Sequence, residues 1–114
     1  MHEYSLIQSM LSRVGDEARR RGALRVHALA VRVGDLSGVD PDLLAGAWEI
    51  ARQGTPCQAA ELRVTRVAAA WSCPRCRRAF APGEVLRCAG CDAPAELSDG
   101  ADALTLDSIE MEVP

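Results

Sequence analysis

Leu6, Ile7, Met10, Leu11, Val14 and Ala18 recur at steps of three and four residues, the spacing that gathers side chains on one face of an α-helix. The pattern predicts a helix from about Tyr4 to Arg21. Arg19, Arg20 and Arg21 fall in its last turn, where cations suit the negative end of the helix dipole, and Gly22 stops it. The period then changes. From Val26 to Val33, Leu29, Val31 and Val33 alternate with Ala30 and Arg32, which predicts a strand with one buried face. Gly34 and the Ser37-Gly38 pair end it. Asp40 followed by Pro41 reads as a helix N-cap with proline at the first helical position. Leu43, Leu44, Ala47, Trp48 and Ala51 then give the stripe of a second helix, closed by Gly54. Leu62 and Val64 mark a second strand from about Ala60 to Ala68, and a last strand runs from about Leu104 to Val113. Its apolar phase slips between Leu106 and Ile109, as a bulge would cause.

A Cys-rich stretch interrupts this order between the second and last strands. The sequence therefore predicts an α+β fold, with two helices on a three-stranded β-sheet and an inserted zinc-ribbon-like hairpin domain. The boundaries are 1–70 and 98–114 for a discontinuous α/β domain and 71–97 for the insert. No internal repeat or low-complexity segment is evident.

Composition narrows the reading. At 114 residues the chain fits one small domain or a core plus one stapled insert. Its aromatics are Tyr4, Trp48, Trp71 and Phe80, so the core must be mostly aliphatic. All 13 basic residues are Arg, and the net charge is −3, which weighs against a general nucleic-acid binder. Residues 98–114 carry five acids and no Arg, yet apolar residues punctuate them, which suits a strand with a solvated face better than a disordered tail. No basic, apolar and small-residue series opens the chain, and no apolar run nears the roughly 18 residues of a membrane span, so a cytoplasmic location is expected.

The five Cys carry the clearest chemistry. Cys73-Pro74-Arg75-Cys76 and Cys88-Ala89-Gly90-Cys91 are two C-x2-C pairs, each able to form a tight turn offering two thiolates. Four thiolates in a tetrahedron suit Zn(II) in a closed, structural site. Arg77–Ala81 and Glu84–Arg87 would form the arms of a hairpin turning at Pro82-Gly83, and the four Arg of the insert would offset the cluster's charge. Phe80, Val85 and Leu86 are too few to fold the insert, so metal should supply its folding energy. A redox-active dithiol pair is the rival reading. Cys57 reads as a small buried or half-buried residue.

His2 stands second in the chain. A free α-amine has a pKa of about 7.7–8.0, so it can lose its proton to a metal near neutrality. The His2 imidazole and nearby backbone amides could join it in one chelate, with Glu3 adding its carboxylate or its own amide nitrogen. Nitrogen-rich, square-planar sets suit Ni(II) and Cu(II). Spacing alone makes this no more than a solvated terminal histidine. His27 reads as a strand residue at or near the surface.

Taken together, the Met1-His2-Glu3 start, the amphipathic helix, the strand ending at Val33-Gly34, the second helix and the two C-x2-C pairs before an acidic last strand resemble the HypA/HybF nickel metallochaperones of nickel–iron hydrogenase maturation. The resemblance spans essentially the whole chain. It implies Ni(II) held as transferred cargo by His2 with main-chain nitrogens at Met1, His2 and Glu3. It also implies structural Zn(II) at Cys73, Cys76, Cys88 and Cys91. The implied partners are a nickel-binding maturation GTPase and the immature hydrogenase large subunit as recipient. Asp40 matches a position where the family often has an acid, which would bring it toward the nickel site, although an N-cap role explains it at least as well. Some family members flank their Cys pairs with His residues; this chain has Ser72 and Asp92 there, so histidine exchange at zinc is not expected.

No nucleophile–base pair, G-x-S-x-G motif or P-loop is present, so a non-enzymatic carrier is expected. The alternative from another class is a zinc-ribbon module binding nucleic acid or a transcription assembly, for which Arg75, Arg77, Arg78 and Arg87 argue weakly.

Overall fold

The first periodicity becomes α1 (His2–Arg20), whose buried face is formed by Glu3, Ile7, Met10, Val14 and Ala18. The computed structural model describes residues 2–81 and 83–114. Gly22, at φ 62°, ends α1 in a left-handed turn that glycine adopts without steric cost. The Ala23 N–H then reaches the Ala18 carbonyl at 2.9 Å and the Gly22 N–H that of Arg19 at 3.2 Å, closing a Schellman cap.

β1 (Arg25–Gly34) is the central strand of the sheet, in the order β2-β1-β5. β2 (Glu61–Val67) pairs with it in parallel and β5 (Leu104–Glu112) antiparallel. A parallel neighbour needs a crossover, and α2 (Pro41–Ala51) supplies it between β1 and β2. Both helices deliver their stripes to one face, where Ile7, Val14, Leu29, Leu44 and Trp48 are almost completely buried. The Trp48 indole N–H donates to the Ala60 carbonyl at 3.1 Å, so its one polar atom is satisfied inside the core.

The bulge expected in the last strand is present. Ala30 pairs with Ser108 but Val31 with Leu106, leaving Asp107 as the extra residue on β5. A second register shift, between Val26 and Ala28, leaves His27 unpaired on β1. The acids of β5 find partners on the sheet's outer face. Arg63 on β2 donates to Glu110 on β5 at 2.8 Å, and Arg32 to Asp107 at 2.9 Å. Ala28 and Ala30 on β1 lie between these strands, and their small side chains leave room for Arg63 to cross. These pairs are about half exposed, where solvent screens ion pairs strongly, so they fix register more than they stabilise.

β3 (Trp71–Ser72) and β4 (Glu96–Leu97) form a separate two-stranded antiparallel sheet at the base of the Cys-rich segment. That segment has its own small core of Cys73, Cys88 and Ala93, with Phe80 and Cys91 packed against it. The connections to the body are short. The Ser98 N–H donates to the Ala70 carbonyl at 2.8 Å, and its hydroxyl to the Ala68 carbonyl at 2.9 Å.

The returning chain then presses on the end of β1. The Gly34 N–H donates to the Ala103 carbonyl at 2.9 Å and the Leu36 N–H to that of Ala101 at 2.7 Å. A Cβ at position 34 would fall onto the Ala101 carbonyl group and the Gly100 oxygen, which are backbone and cannot rotate away. Gly34→Ala is therefore expected to lower stability by about 1–3 kcal/mol, the usual range for overpacking. Chemical denaturation checks this, and an unchanged midpoint would show that the 100–103 turn moves freely.

Candidate metal centres

Two turns of the same construction hold the four paired cysteines. In the first, the Cys73 N–H donates to the Arg78 carbonyl and the Arg77 N–H to the Cys73 carbonyl, both at 2.9 Å. In the second, the Cys88 N–H donates to Ala93 at 2.9 Å and the Asp92 N–H to Cys88 at 2.8 Å. The residue after the second Cys of each pair has positive φ, 62° at Arg77 and 50° at Asp92. Isolated bridges repeat the correspondence, pairing Ser72 with Ala79 and Arg87 with Pro94. The segment is thus an internal duplication of a backbone turn, with little sequence identity beyond the cysteines to announce it.

This differs in detail from the simple hairpin expected. Ala79 and Arg87, one on each arm, bridge outward, to Ser72 and Pro94, rather than to each other. The turn expected at Pro82-Gly83 falls partly on Pro82, which lies outside the described residues. On either side of it the Glu84 N–H donates to the Ala81 carbonyl at 3.1 Å.

The four Sγ atoms lie within 4.8 Å of one another. Those of Cys76 and Cys88 are 3.8 Å apart. A tetrahedron with Zn–S distances of about 2.3 Å has edges of about 3.8 Å, so the donor set fits zinc in both chemistry and spacing. The Cys76 N–H approaches the Cys73 sulfur at 3.5 Å. Backbone N–H groups of this kind favour the thiolate. The amide of Cys76 lowers the pKa of Cys73, and that of Cys91 draws Cys88 down to about 6. Cys91 is pushed up to about 12 by the neighbouring sulfurs of Cys73 and Cys76, the repulsion a dication would relieve. Cys73 and Cys88 are buried, Cys91 is half-buried and Cys76 is exposed.

The insert's arginines divide into two sets. Arg78 donates to Glu84 at 3.0 Å and stacks over the Phe80 ring at 4.3 Å from its centroid. Glu84 and the Cys88 sulfur both raise its pKa, so it does face the cluster's charge. Arg87 donates to Asp92 at 2.8 Å. Arg75 and Arg77 are exposed at the first turn.

Cys57 stands apart. It is buried in the main core, and burial pushes its thiol up to about 11, which marks it as an inert packing residue. His27 is on the surface, with Nε2 3.4 Å from the Glu112 carboxylate.

The N-terminal residues are placed as follows. Met1 lies outside the described residues. His2 is exposed and is the first residue of α1. The opening amides of any α-helix have no intrahelical acceptor, so those of His2 and Glu3 are not committed to the ladder. Glu3 turns the other way: it is buried, and its Oε2 accepts the Asp40 N–H at 3.2 Å. Nothing in the sequence pattern pointed to this contact, because it joins residues 37 positions apart.

Asp40 is the N-cap of α2, its Oδ1 accepting from Asp42 at 2.9 Å and Leu43 at 3.2 Å. Asp40→Ala removes that cap while keeping the backbone N–H that Glu3 holds. It should cost about 1 kcal/mol of stability in thermal denaturation, and no loss would mean water caps α2 equally well.

Similarity to known proteins agrees with this layout. The family model described as hydrogenase/urease nickel incorporation, metallochaperone, HypA matches residues 1–111. A hydrogenase maturation factor HypA from Aquifex aeolicus is 35% identical over 115 residues, covering 99% of each chain. Among solved structures, a solution structure of a HypA protein is similar with a TM-score of 0.74 and 26% identity, covering 97% of this chain and 96% of that one. The solution structure of the Ni metallochaperone HypA from Helicobacter pylori gives a TM-score of 0.67 with 98% of both chains covered; at 23% identity it speaks to the fold.

Proposed function

The chain belongs to the HypA family of hydrogenase and urease nickel-incorporation metallochaperones, and from that premise we propose that it binds Ni(II) at its N-terminus and hands it on for nickel–iron hydrogenase maturation. The observation that carries this is the family match over residues 1–111. His2 supplies an imidazole at the exposed head of α1, and main-chain nitrogens at Met1, His2 and Glu3 complete the set. Two deprotonated amides would balance the charge of the dication, and the positive end of the helix dipole favours that deprotonation. A chelate made from the end of a helix can open by local fraying, which suits release to an acceptor.

Cys73, Cys76, Cys88 and Cys91 hold zinc in a closed site without catalytic water, as four thiolate ligands dictate. The division of labour follows: residues 1–70 with 98–114 carry nickel, and residues 71–97 form the zinc-stapled insert. The protein is a carrier, not an enzyme. Its partners are the maturation GTPase that shares the nickel and the immature hydrogenase large subunit that receives it. A cytoplasmic location accords with four thiols reserved for metal, and no helix among the described residues is long and apolar enough to cross a membrane.

The test is metal stoichiometry on protein with no residues added before Met1. One zinc that survives dialysis and one added nickel per chain are expected. A nickel that displaces zinc, or no tight nickel at all, would overturn the assignment.

A further inference from the structure

We infer that the Glu3 side chain is a positioning residue for the nickel terminus: by accepting the Asp40 N–H it ties the first turn of α1 to the head of α2 and sets how far the chain unwinds when metal binds. The inference rests on the N-terminal chelate proposed above and adds to it a role for a side chain.

Among the described residues Glu3 is the buried charged one, only 7% exposed. Burying a carboxylate is costly unless it is hydrogen-bonded, so its position demands a partner. The partner is an amide that α2 does not use: Asp40 precedes the helix, and its own carboxylate is turned forward onto Asp42 and Leu43. The head of α2 is thus held twice, once by the Asp40 side chain at its own N-cap and once by Glu3 from the first turn of α1. His2, one residue earlier, is exposed. The two neighbours divide the work, one facing solvent and the metal, the other facing inward as an anchor.

Chelation by successive main-chain nitrogens closes five-membered N–Cα–C–N rings, which require ψ near zero. Helical ψ is about −42°, so binding must pull residues at the head of α1 out of helical geometry. Without an anchor the distortion would spread into the first turn, and every frayed residue would have to be ordered again on binding. The Glu3–Asp40 bond stops it after one residue. A carboxylate held in this way is not a nickel ligand; the residue's contribution to the metal is its main-chain nitrogen.

The experiment compares Glu3→Ala, Glu3→Gln and His2→Ala in the zinc-loaded full chain. Nickel affinity is measured by competition with a chromophoric chelator, the nickel absorption spectrum is recorded, and hydrogen exchange is followed at the Asp40 amide. Glu3→Ala should weaken nickel by about tenfold, the usual value of one hydrogen bond to a charged group. Its absorption bands should stay in place, because the donors are unchanged, and the Asp40 amide should exchange faster. Glu3→Gln keeps an oxygen able to accept the same N–H and should restore most of the affinity and the protection. A shifted spectrum in either variant, or Glu3→Gln as weak as Glu3→Ala with Asp40 still protected, would make the carboxylate a ligand and overturn the inference. So would a Glu3→Ala protein with unaltered affinity and exchange. Undiminished nickel binding by His2→Ala would instead overturn the terminal chelate itself, whatever the Glu3 variants do.

Discussion

Cys73→Ser is expected to unfold residues 71–97 while leaving the α/β body folded. The segment buries only Cys73, Cys88 and Ala93, with Phe80 and Cys91 beside them, and two of those three buried residues are themselves metal ligands. Such a core cannot offset the roughly 1–2 kcal/mol per residue that ordering the backbone costs. Structural zinc contributes an apparent ~10–16 kcal/mol in small zinc-binding modules, a value already net of ordering the chain around the metal. Cys73 is the ligand to remove, because it is buried and a serine hydroxyl there keeps the small size and an acceptor for the Cys76 N–H while removing the thiolate. Zinc content should fall from one per chain to none. Amide chemical shifts should collapse within 71–97 while those of β1 and both helices persist. Retained zinc with an intact insert would mean that three thiolates and water suffice; loss of the whole fold would mean that the body leans on the insert.

The second large effect is at the other end. His2→Ala, or a few residues added ahead of Met1, should weaken nickel binding by at least about a hundredfold, since even indirect changes around metal ligands cost 10–100-fold. The two variants remove different donors, an imidazole and a free amine, so agreement between them identifies a chelate rather than one influential side chain. Neither should disturb zinc, and His2→Ala should change stability by no more than about 0.5 kcal/mol, as expected of an exposed side chain. Nickel titration with zinc analysis on the same samples decides the matter. If Cys73→Ser removed nickel and His2→Ala did not, the two metals would be assigned the wrong way round.

Much of the fold was legible because it rests on periodicity. The three-and-four spacing from Leu6 to Ala18 and the alternation at Leu29, Val31 and Val33 report burial directly, and the slipped phase between Leu106 and Ile109 pointed to the bulge that the strand pairing places at Asp107. The Asp40-Pro41 cap was readable because capping is local chemistry. The paired cysteines were readable because metal geometry fixes their spacing. What stayed hidden is non-local. The β2-β1-β5 order depends on which strands meet in space. In the sequence Glu3 offers a carboxylate or an amide nitrogen to a terminal chelate, and only the packing of α1 on α2 turns that carboxylate inward. The duplicated turn was invisible because its equivalence lies in backbone angles at Arg77 and Asp92, residues with nothing chemical in common.

The hydrogen bonds that join Ala68 and Ala70 to Ser98 have a consequence for how such a chain can change over time. They fasten together the two points where the Cys-rich segment leaves and returns, so the body meets the excursion as it would a tight turn. Holding 27 residues between fixed ends (71–97) costs only about 3 kcal/mol of closure entropy, and the cost grows slowly with length. The segment can therefore be lengthened, shortened or exchanged without rebuilding the sheet. Sequence change can accumulate there while the proposed nickel site, in the body ahead of that splice, is left as it was.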